Sequence, residues 1–376
     1  MILPPASLGL LGGGQLGRMF TVAARTMGYR VVVLDPDPLS PAAEFANEHV
    51  CAPYQEPQAL AKLAATCAAI TTEFENAPAA SLDALAGKCI VRPTGKSVAI
   101  AQDRVREKTF LRDNGFPVGP FAIIESADDL EAAAATIRFP AVLKTARLGY
   151  DGKGQAKVGS LAEAKRAHAE MKTPVCVLEQ FLPLKCEVSV VLGRGADGET
   201  RCYTAAENQH QHGILDVSIV PARVDRRIAE QASEQAVRLA QILNYVGVLA
   251  VEFFVLDDER LLINEIAPRP HNSGHYTIDA CVTSQFQQQV RALCGLPLGD
   301  TRLHSPAVMV NLMGDVWRDA REPRWEAILD NPDAKLHIYG KQKARPGRKM
   351  GHYTVLASTV EEALRQALAI KRHLGT

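Results

Sequence analysis

Through the first hundred residues, short apolar runs closed by glycine or an acid alternate with stretches of helical periodicity, the pattern of a parallel α/β unit. Ser7–Leu11 reads as a strand running into Gly12-Gly13-Gly14-Gln15-Leu16-Gly17, a helix follows from about Arg18 to Met27, and Tyr29–Leu34 forms a second strand ending at Asp35. A later strand, Ala69–Thr72, delivers Glu73 and Glu75 to what should be the same carboxyl edge. The pattern changes near Arg92-Pro93-Thr94-Gly95. Beyond it Asp103 is placed to cap a helix carrying Arg104 and Lys108 and ending at Gly115. A smaller α+β unit follows: a helix from Ser126, a strand Ala141–Thr145, a glycine-rich loop, a helix from about Ser160 with Glu163 in capping-box position, and a strand Val175–Glu179. Further strands are predicted around Cys186–Leu192 and Cys202–Ala206, then an amphipathic helix from about Arg226 to Leu243. Two β-branched runs, Gly247–Val255 and the one from Ile263, flank Asp257-Asp258-Glu259-Arg260 and predict a hairpin closed symmetrically at Asp258-Glu259. After Leu296-Pro297-Leu298-Gly299 come a strand at Ala307–Leu312, a basic turn from Lys341 to Lys349, a strand at His352–Leu356 and a closing helix from Val360 to Leu374.

The 376 residues are enough for two or three domains, and a hydrophobic share of 47% is ordinary for a globular chain. With 42 basic and 42 acidic residues there is no global field to attract nucleic acid or an anionic membrane, so a small-molecule partner is favoured. No apolar run approaches a bilayer span, and the N-terminus lacks the basic segment of a secretory signal. The eight cysteines are scattered without a CxxC pair, which fits buried thiols in a reducing cytoplasm and argues against structural zinc.

Three stretches carry candidate chemistry. The GxGxxG run before a helix, with Asp35 at the tip of the next strand, matches a dinucleotide fingerprint; the same N–H groups would equally serve another phosphorylated ligand. Lys144 sits inside an apolar strand, where an ammonium is costly unless it meets an anion. Just downstream, Gly149-Tyr150-Asp151-Gly152-Lys153-Gly154-Gln155 has the flexible, donor-rich composition of a phosphate lid rather than of a Walker A loop. Glu179-Gln180-Phe181-Leu182 ends a strand whose edge could pair with an adenine, and Glu187 could accept from ribose hydroxyls. In the symmetric hairpin register Glu252 lies opposite Glu265, with Cβ atoms roughly 5 Å apart. Such a pair either edges a solvated face or shares a divalent cation, and hard carboxylate oxygens beside phosphates suit Mg²⁺. Beyond Glu265 the chain enters a proline-stiffened cluster, Arg269-Pro270-His271-Asn272-Ser273, of the kind that holds a small oxyanion.

The succession of basic helix, lysine strand, glycine lid, strand end and carboxylate hairpin resembles the ATP-grasp superfamily of carboxylate–amine ligases over nearly the whole chain. Within it, Gly12–Met19, Gly149–Gln155, Asn264–His275 and Arg345–His352 resemble the N5-carboxyaminoimidazole ribonucleotide synthetases of purine biosynthesis. The resemblance implies an α/β ATP-grasp fold with an N-terminal Rossmann-like domain over 1–98, an ATP-grasp domain over 99–298 with a lid at about 123–188, and a small C-terminal domain over 299–376. It implies that ATP phosphorylates bicarbonate to carboxyphosphate, whose CO₂ is captured by the 5-amino group of aminoimidazole ribonucleotide, and that no nicotinamide is used. By the same resemblance Arg104, Lys144, residues 149 to 155, Glu179, Gln180, Phe181, Leu182, Glu187, His210, Asn264 and Glu265 contact ATP, while Glu252 and Glu265 hold Mg²⁺. Arg269, His271 and Asn272 would hold bicarbonate. Gln15, Leu16, Glu73, Tyr150, Lys153, Lys341 and Arg348 would hold the ribonucleotide, with Tyr150 and Lys153 at the reacting end and Lys341 and Arg348 on the phosphate. A homodimer is the family expectation.

Many superfamily members carry Asn two positions after the second metal glutamate; here that position is Ala267, which leaves coordination to water or phosphate. Among competing readings, a formate-using glycinamide ribonucleotide transformylase shares the Pro-Arg-Pro-His run, but Tyr150-Asp151 stands where that relative has small hydroxyl residues. An NAD-dependent dehydrogenase leaves the glutamate pair and the lid unexplained, and a non-catalytic nucleotide-binding regulator leaves the oxyanion cluster without a purpose.

Overall fold

The structure is a computed structural model and describes residues 1–149, 154–171, 173–317 and 322–374. Its first sheet is parallel, with strands β1 (Ser7–Leu11), β2 (Arg30–Leu34), β3 (Glu48–Val50), β4 (Ala69–Thr72) and β5 (Ile90–Val91) in the order β3-β2-β1-β4-β5. Parallel strands are covered on both faces, which is why these runs are apolar throughout. Helix α1 (Gln15–Thr26) packs Leu16 and Phe20 on one face, while α2 (Pro57–Thr66) and α3 (Ala79–Ala86) pack Leu63, Leu82 and Leu85 on the other. Helix α1 starts earlier than the hydrophobic pattern implies. Gly12 at φ +100 turns the chain out of β1, and Gly14 already serves as its N-cap.

Helices α4 (Gly95–Ala101) and α5 (Arg104–Asp113) lead out of this unit. Asp103 caps α5 by accepting from the Val105 and Arg106 amides, and Gly115 at φ +68 ends it, as the turn signals predict. The next sheet contains β6 (Phe121–Ile124), β7 (Ala141–Thr145), β8 (Gln155–Val158) and β9 (Cys176–Gln180) in the order β6-β9-β7-β8, all pairs antiparallel. Helices α6 (Ala127–Ala133) and α7 (Leu161–Met171) cover one face through Leu130 and Ala164 against Ile124, Leu143 and Leu178. The expected free edge at Glu179–Leu182 is corrected here. Strand β9 is interior, and the Gln180 and Phe181 amides already donate to the Pro120 and Pro140 carbonyls.

The large sheet has nine strands: β10 (Leu184–Arg194), β11 (Thr200–Cys202), β12 (Ala206–Gln211), β13 (Ile214–Val220), β14 (Gly247–Leu256), β15 (Leu261–Ala267), β16 (Ala307–Met313), β17 (Ala334–Ile338) and β18 (Lys349–Leu356). Their order is β15-β14-β10-β12-β13-β16-β18-β17, with β11 added to β10. The strand expected at Cys202–Ala206 is in fact two, separated where the chain passes from β11 to β12, and the β12–β13 hairpin has no counterpart in the predicted elements. Alternation fails as a signal there because Glu207, Asn208 and Ser218 are buried polar residues. Helix α8 (Arg226–Ile242) buries Ile228, Ala232, Ala236 and Leu239 against Val190, Leu249 and Val251. On the opposite side α9 (Thr277–Ala280) and α10 (Gln285–Cys294) lie between this sheet and the first unit, with Phe286, Val290 and Leu293 joining the core of α1. Helices α11 (Glu326–Leu329) and α12 (Val360–Leu374) cover β16 and β18. No helix among the described residues is long and apolar enough to cross a membrane.

The β14–β15 hairpin pairs Glu252 with Glu265, but not through the symmetric closure expected at Asp258-Glu259. Near the turn the pairs are Phe253↔Ile263 and Val255↔Leu261, a three-residue loop in which Glu259 takes φ +65. Asn264 is then an extra residue, and this β-bulge restores Glu252↔Glu265 and Ala250↔Ala267.

Candidate active site

The three units converge on one cavity of about 910 Å³, near the upper end of the ~300–1,000 Å³ usual for ligand clefts. It is lined by Gln15, Leu16, Glu73, Arg104, Lys144, Gly149, Gln155, the run Glu179–Leu182, Glu187, His210, Glu252, Asn264, Glu265, Arg269, His271, Asn272 and Lys341. Residues picked from stretches scattered between positions 15 and 341 are thus brought together. Gly154 and Arg348 lie outside that lining, and the Arg348 guanidinium donates to the Lys343 carbonyl at 2.8 Å. Tyr150, Asp151, Gly152 and Lys153 fall outside the described residues.

The glycine-rich loop is already satisfied by protein carboxylates. Gly13 N–H donates to Asp35 Oδ2 at 2.7 Å, and Gly14 and Gly17 N–H donate to Glu73 Oε1 and Oε2 at 2.9 and 3.0 Å. Asp35, expected at a ribose diol, instead also accepts from Tyr54 at 2.7 Å. A dinucleotide pyrophosphate would need these same N–H groups and would meet two carboxylates, so the fingerprint is a structural device here. Burial pushes the Glu73 carboxyl up, against the Gly14 and Gly17 N–H groups and Arg269, which pull it down. Glu75 at the same edge forms an ion pair with the largely buried guanidinium of Arg269.

The buried Lys144 ammonium does meet an anion. Glu179, 7% exposed, contacts Lys144 Nζ at 3.1 Å and Lys108 Nζ at 3.2 Å. Burial alone would raise the Glu179 carboxyl, but Lys108, Lys144 and Arg104 outweigh it and hold it down at about 2. Burial lowers the Lys144 ammonium despite Glu179, helped by Lys108 and Arg104. Lys144 therefore enters the cavity as part of a charged triad that links β7, β9 and α5, with cationic surplus available to phosphates.

At the hairpin, Glu252 accepts from His271 Nε2 at 2.9 Å and Glu265 pairs with Arg104 at 3.3 Å. Burial would raise Glu252; His271, His210 and Lys349 reverse that and hold it at about 2, so it is ionised. Asn264 Oδ1 is buried without a hydrogen-bond partner among the described residues. Glu187, His210 and Glu252 also bring one ligand atom each within 4.8 Å of one another, with His210 Nδ1 3.3 Å from Glu187. Burial would lower His210, yet Glu187 and Glu252 raise it. Glu187 lines the cavity with one carboxylate oxygen facing His210. The Glu252 and Glu265 carboxylates and the orphaned Asn264 amide oxygen form a hard-oxygen set that fits Mg²⁺.

The expected oxyanion cluster is built on a short 3₁₀ turn, Asn272–Gly274, after β15. His271 Nδ1 lies 2.8 Å from Ser273 Oγ, while the Asn272 amide exchanges hydrogen bonds with Asn311 at 3.0 and 2.7 Å. Asn272 lines the cavity, and its pair of bonds to Asn311 fixes its side chain there with one N–H and one lone pair left over. Lys341 Nζ donates to Gln15 Oε1 at 2.7 Å and to the Lys349 carbonyl at 2.6 Å, tying the C-terminal strands to the glycine loop. Sequence reasoning missed Glu107, Asn311 and Lys349. Glu107 lines the cavity, and Lys349 does so close enough to Glu252 to depress its carboxyl. Asn311 could have been found as the lone amide in the apolar strand Ala307–Met313. Burial and Glu265 push the Glu107 carboxyl up to about 8, against Lys108, Arg104 and the Ile266 amide.

Comparison with known proteins gives three matched regions along the chain. Residues 6–102 match a ribonucleotide synthetase preATP-grasp domain, 109–286 an ATP-grasp domain, and 307–366 a phosphoribosylaminoimidazole carboxylase C-terminal domain. The N5-carboxyaminoimidazole ribonucleotide synthase of Bacillus subtilis is 44% identical over 366 residues, covering 97% of this chain and 95% of its own. A crystal structure of N5-carboxyaminoimidazole ribonucleotide synthetase with ADP superposes with a TM-score of 0.92 at 41% identity, over 100% of this chain and 99% of that one. The Aspergillus clavatus enzyme, solved with ADP and 5-aminoimidazole ribonucleotide, gives a TM-score of 0.91 at 31% identity over 98% of both chains.

Proposed function

This chain belongs to the N5-carboxyaminoimidazole ribonucleotide synthase family of ATP-grasp ligases, and from that premise we propose how its cavity carries out the ATP-dependent carboxylation of 5-aminoimidazole ribonucleotide in purine biosynthesis. Bicarbonate oxygen attacks the γ-phosphorus of ATP, ADP leaves, and carboxyphosphate forms. Its carbon, as CO₂ with release of phosphate, is then taken by the 5-amino nitrogen, which loses one proton. The observation that carries the reading is the convergence of the Glu252/Glu265 pair with the Lys144 triad and Arg269-Pro270-His271 around one cavity.

Lys144 and Arg104, held by Glu179 and Glu265, supply positive charge along the triphosphate. Glu252, Glu265 and Asn264 would hold Mg²⁺, which when bound neutralises charge developing between the β- and γ-phosphates. Arg269 presents a buried guanidinium to a planar oxyanion, with Glu75 fixing its orientation. His271 Nε2, at 2.9 Å from Glu252, faces the same space. Lys341 and Gln15 bracket the ribonucleotide end. Carboxyphosphate is short-lived in water, so cover over the cavity is required, and that role falls to the glycine-rich stretch whose ends, Gly149 and Gln155, line the cavity. A cytoplasmic homodimer completes the proposal, on the buried free cysteines for the first and the family for the second.

The test is a coupled ADP assay with substrates exchanged. Full-rate ADP release is expected only with bicarbonate and aminoimidazole ribonucleotide together. Turnover with formate and glycinamide ribonucleotide, and none with bicarbonate, rejects the proposal. Glu265→Gln is expected to lower kcat at least about a hundredfold, equivalent to ~2.7 kcal/mol.

A further inference from the structure

Strand β15 is the edge of the large sheet, yet its outer side is closed by α5 and the segment after it rather than by another strand. Ile263 N–H donates to the Pro117 carbonyl at 2.7 Å. The bulged residue Asn264 gives its carbonyl to Lys108 Nζ at 2.8 Å, and Ile266 N–H donates to Glu107 Oε1 at 2.6 Å. Consecutive residues of one helix thus take the backbone groups on either side of Glu265. Lys108, 1% exposed, also holds Glu179.

A β-bulge re-aims the side chains around it, and its geometry persists only where the displaced backbone groups find partners. Without the extra residue at Asn264, the register from the turn would carry Glu265 away from its place opposite Glu252. Without acceptors and donors on the outer edge, the bulge would leave a buried C=O and N–H unpaired, at about 1–3 kcal/mol each.

We propose that Glu107 is a positioning residue for the metal end of the cavity: its side-chain oxygen on Ile266 N–H, beside Lys108 on the Asn264 carbonyl, locks the bulge that aims Asn264 and Glu265 at the cation. The inference rests on the reading of Glu252 and Glu265 as metal ligands. What it requires of residue 107 is an acceptor at glutamate reach, not a negative charge. Glu107→Gln keeps that acceptor and drops the charge, whereas Glu107→Asp keeps the carboxylate and withdraws it by one methylene.

The experiment measures Mn²⁺ binding in the presence of ADP by water-proton relaxation, together with amide exchange over residues 263–267 in the ligand-free protein. Glu107→Gln is expected within about threefold of the parent for Mn²⁺. Glu107→Asp is expected to bind at least about tenfold more weakly, the range seen when partners of metal ligands are lost, with faster exchange at Ile266. Equal affinities for the two variants, or the reverse order, overturn the proposal. Glu265→Gln, run alongside, separates the two layers: if it binds Mn²⁺ like the parent, the metal reading fails, and if it loses binding while Glu107→Asp does not, only the positioning role fails.

Discussion

Replacing Glu179 by Gln tests the charged triad that joins the four-stranded β6-β9-β7-β8 sheet to the rest of the site. Glu179 is the anion between two ammonium groups, Lys108 and Lys144, whose side chains are 2% and 13% exposed. A carboxyl held at about 2 instead of 4.5 corresponds to about 3 kcal/mol of stability, at ~1.4 kcal/mol per unit. Removing one member of a buried ion pair costs roughly 3–5 kcal/mol by an independent route, because the remaining charges stay desolvated. The folded-state value is depressed, so this contribution is complete above the unfolded value of 4.5 and is lost as pH falls toward 2. Urea denaturation followed by circular dichroism should therefore place Glu179→Gln about 3 kcal/mol below the parent at pH 7.5, with the gap narrowing by ~1.4 kcal/mol for each unit below pH 4.5. Adding Lys144→Met to Glu179→Gln should recover about 1 kcal/mol or more, since one orphaned ammonium goes with it. A Glu179→Gln protein within 1 kcal/mol of the parent, or a double variant weaker by the full sum of the singles, would show that the triad does not hold the fold as described.

Asn311→Leu strands the Asn272 amide and the Leu215 carbonyl, both now bonded to Asn311, and is expected to cost about 2–4 kcal/mol, read as a lowered midpoint in thermal unfolding. Burial holds the His275 and His352 imidazoles well below their usual range, His275 helped by His271, Lys349, His337 and Arg269 and His352 by His275 and His337, so they are neutral in the fold. The unfolded chain takes up those protons below about pH 6.5; stability is full above that pH and should fall by up to ~1.4 kcal/mol per unit per histidine beneath it. His352→Asn, measured by urea midpoints between pH 7.5 and 5.5, should make that decline shallower, and an unchanged slope would count against it. With the loop N–H groups occupied by Asp35 and Glu73, titration with NADH should give no saturable fluorescence change.

Elements whose signal is local were legible along the chain. Strand β1, its glycine turn, the Asp103 cap, the amphipathic α8 and the two runs of the β14–β15 hairpin follow from periodicity and turn chemistry, because each depends on residues within a few positions. The hairpin β12–β13 was not legible, since the buried polar residues Glu207, Asn208 and Ser218 interrupt alternation; Asn208 and Ser218 bond to each other across the hairpin, and Ser189 and Arg223 outside it complete the set. Resemblance to a family marked most of the cavity lining; it did not tell which of those side chains are already committed to one another. The glycine fingerprint is the clearest instance, because only the fold reveals that Glu73, 59 residues from Gly14, occupies the groups a pyrophosphate would need.

From order and residue type alone came the α/β class, the family resemblance and the choice of Glu252 and Glu265 as a facing pair. Tertiary structure alone decided how that pair is made: a bulge at Asn264, secured from outside by Glu107 and Lys108, makes up for a three-residue turn whose register is one residue off the symmetric one. The reason is that hydrogen-bond satisfaction of an edge strand is settled by whatever packs beside it, and a helix some 160 residues earlier in the chain leaves no local trace in the strand it closes.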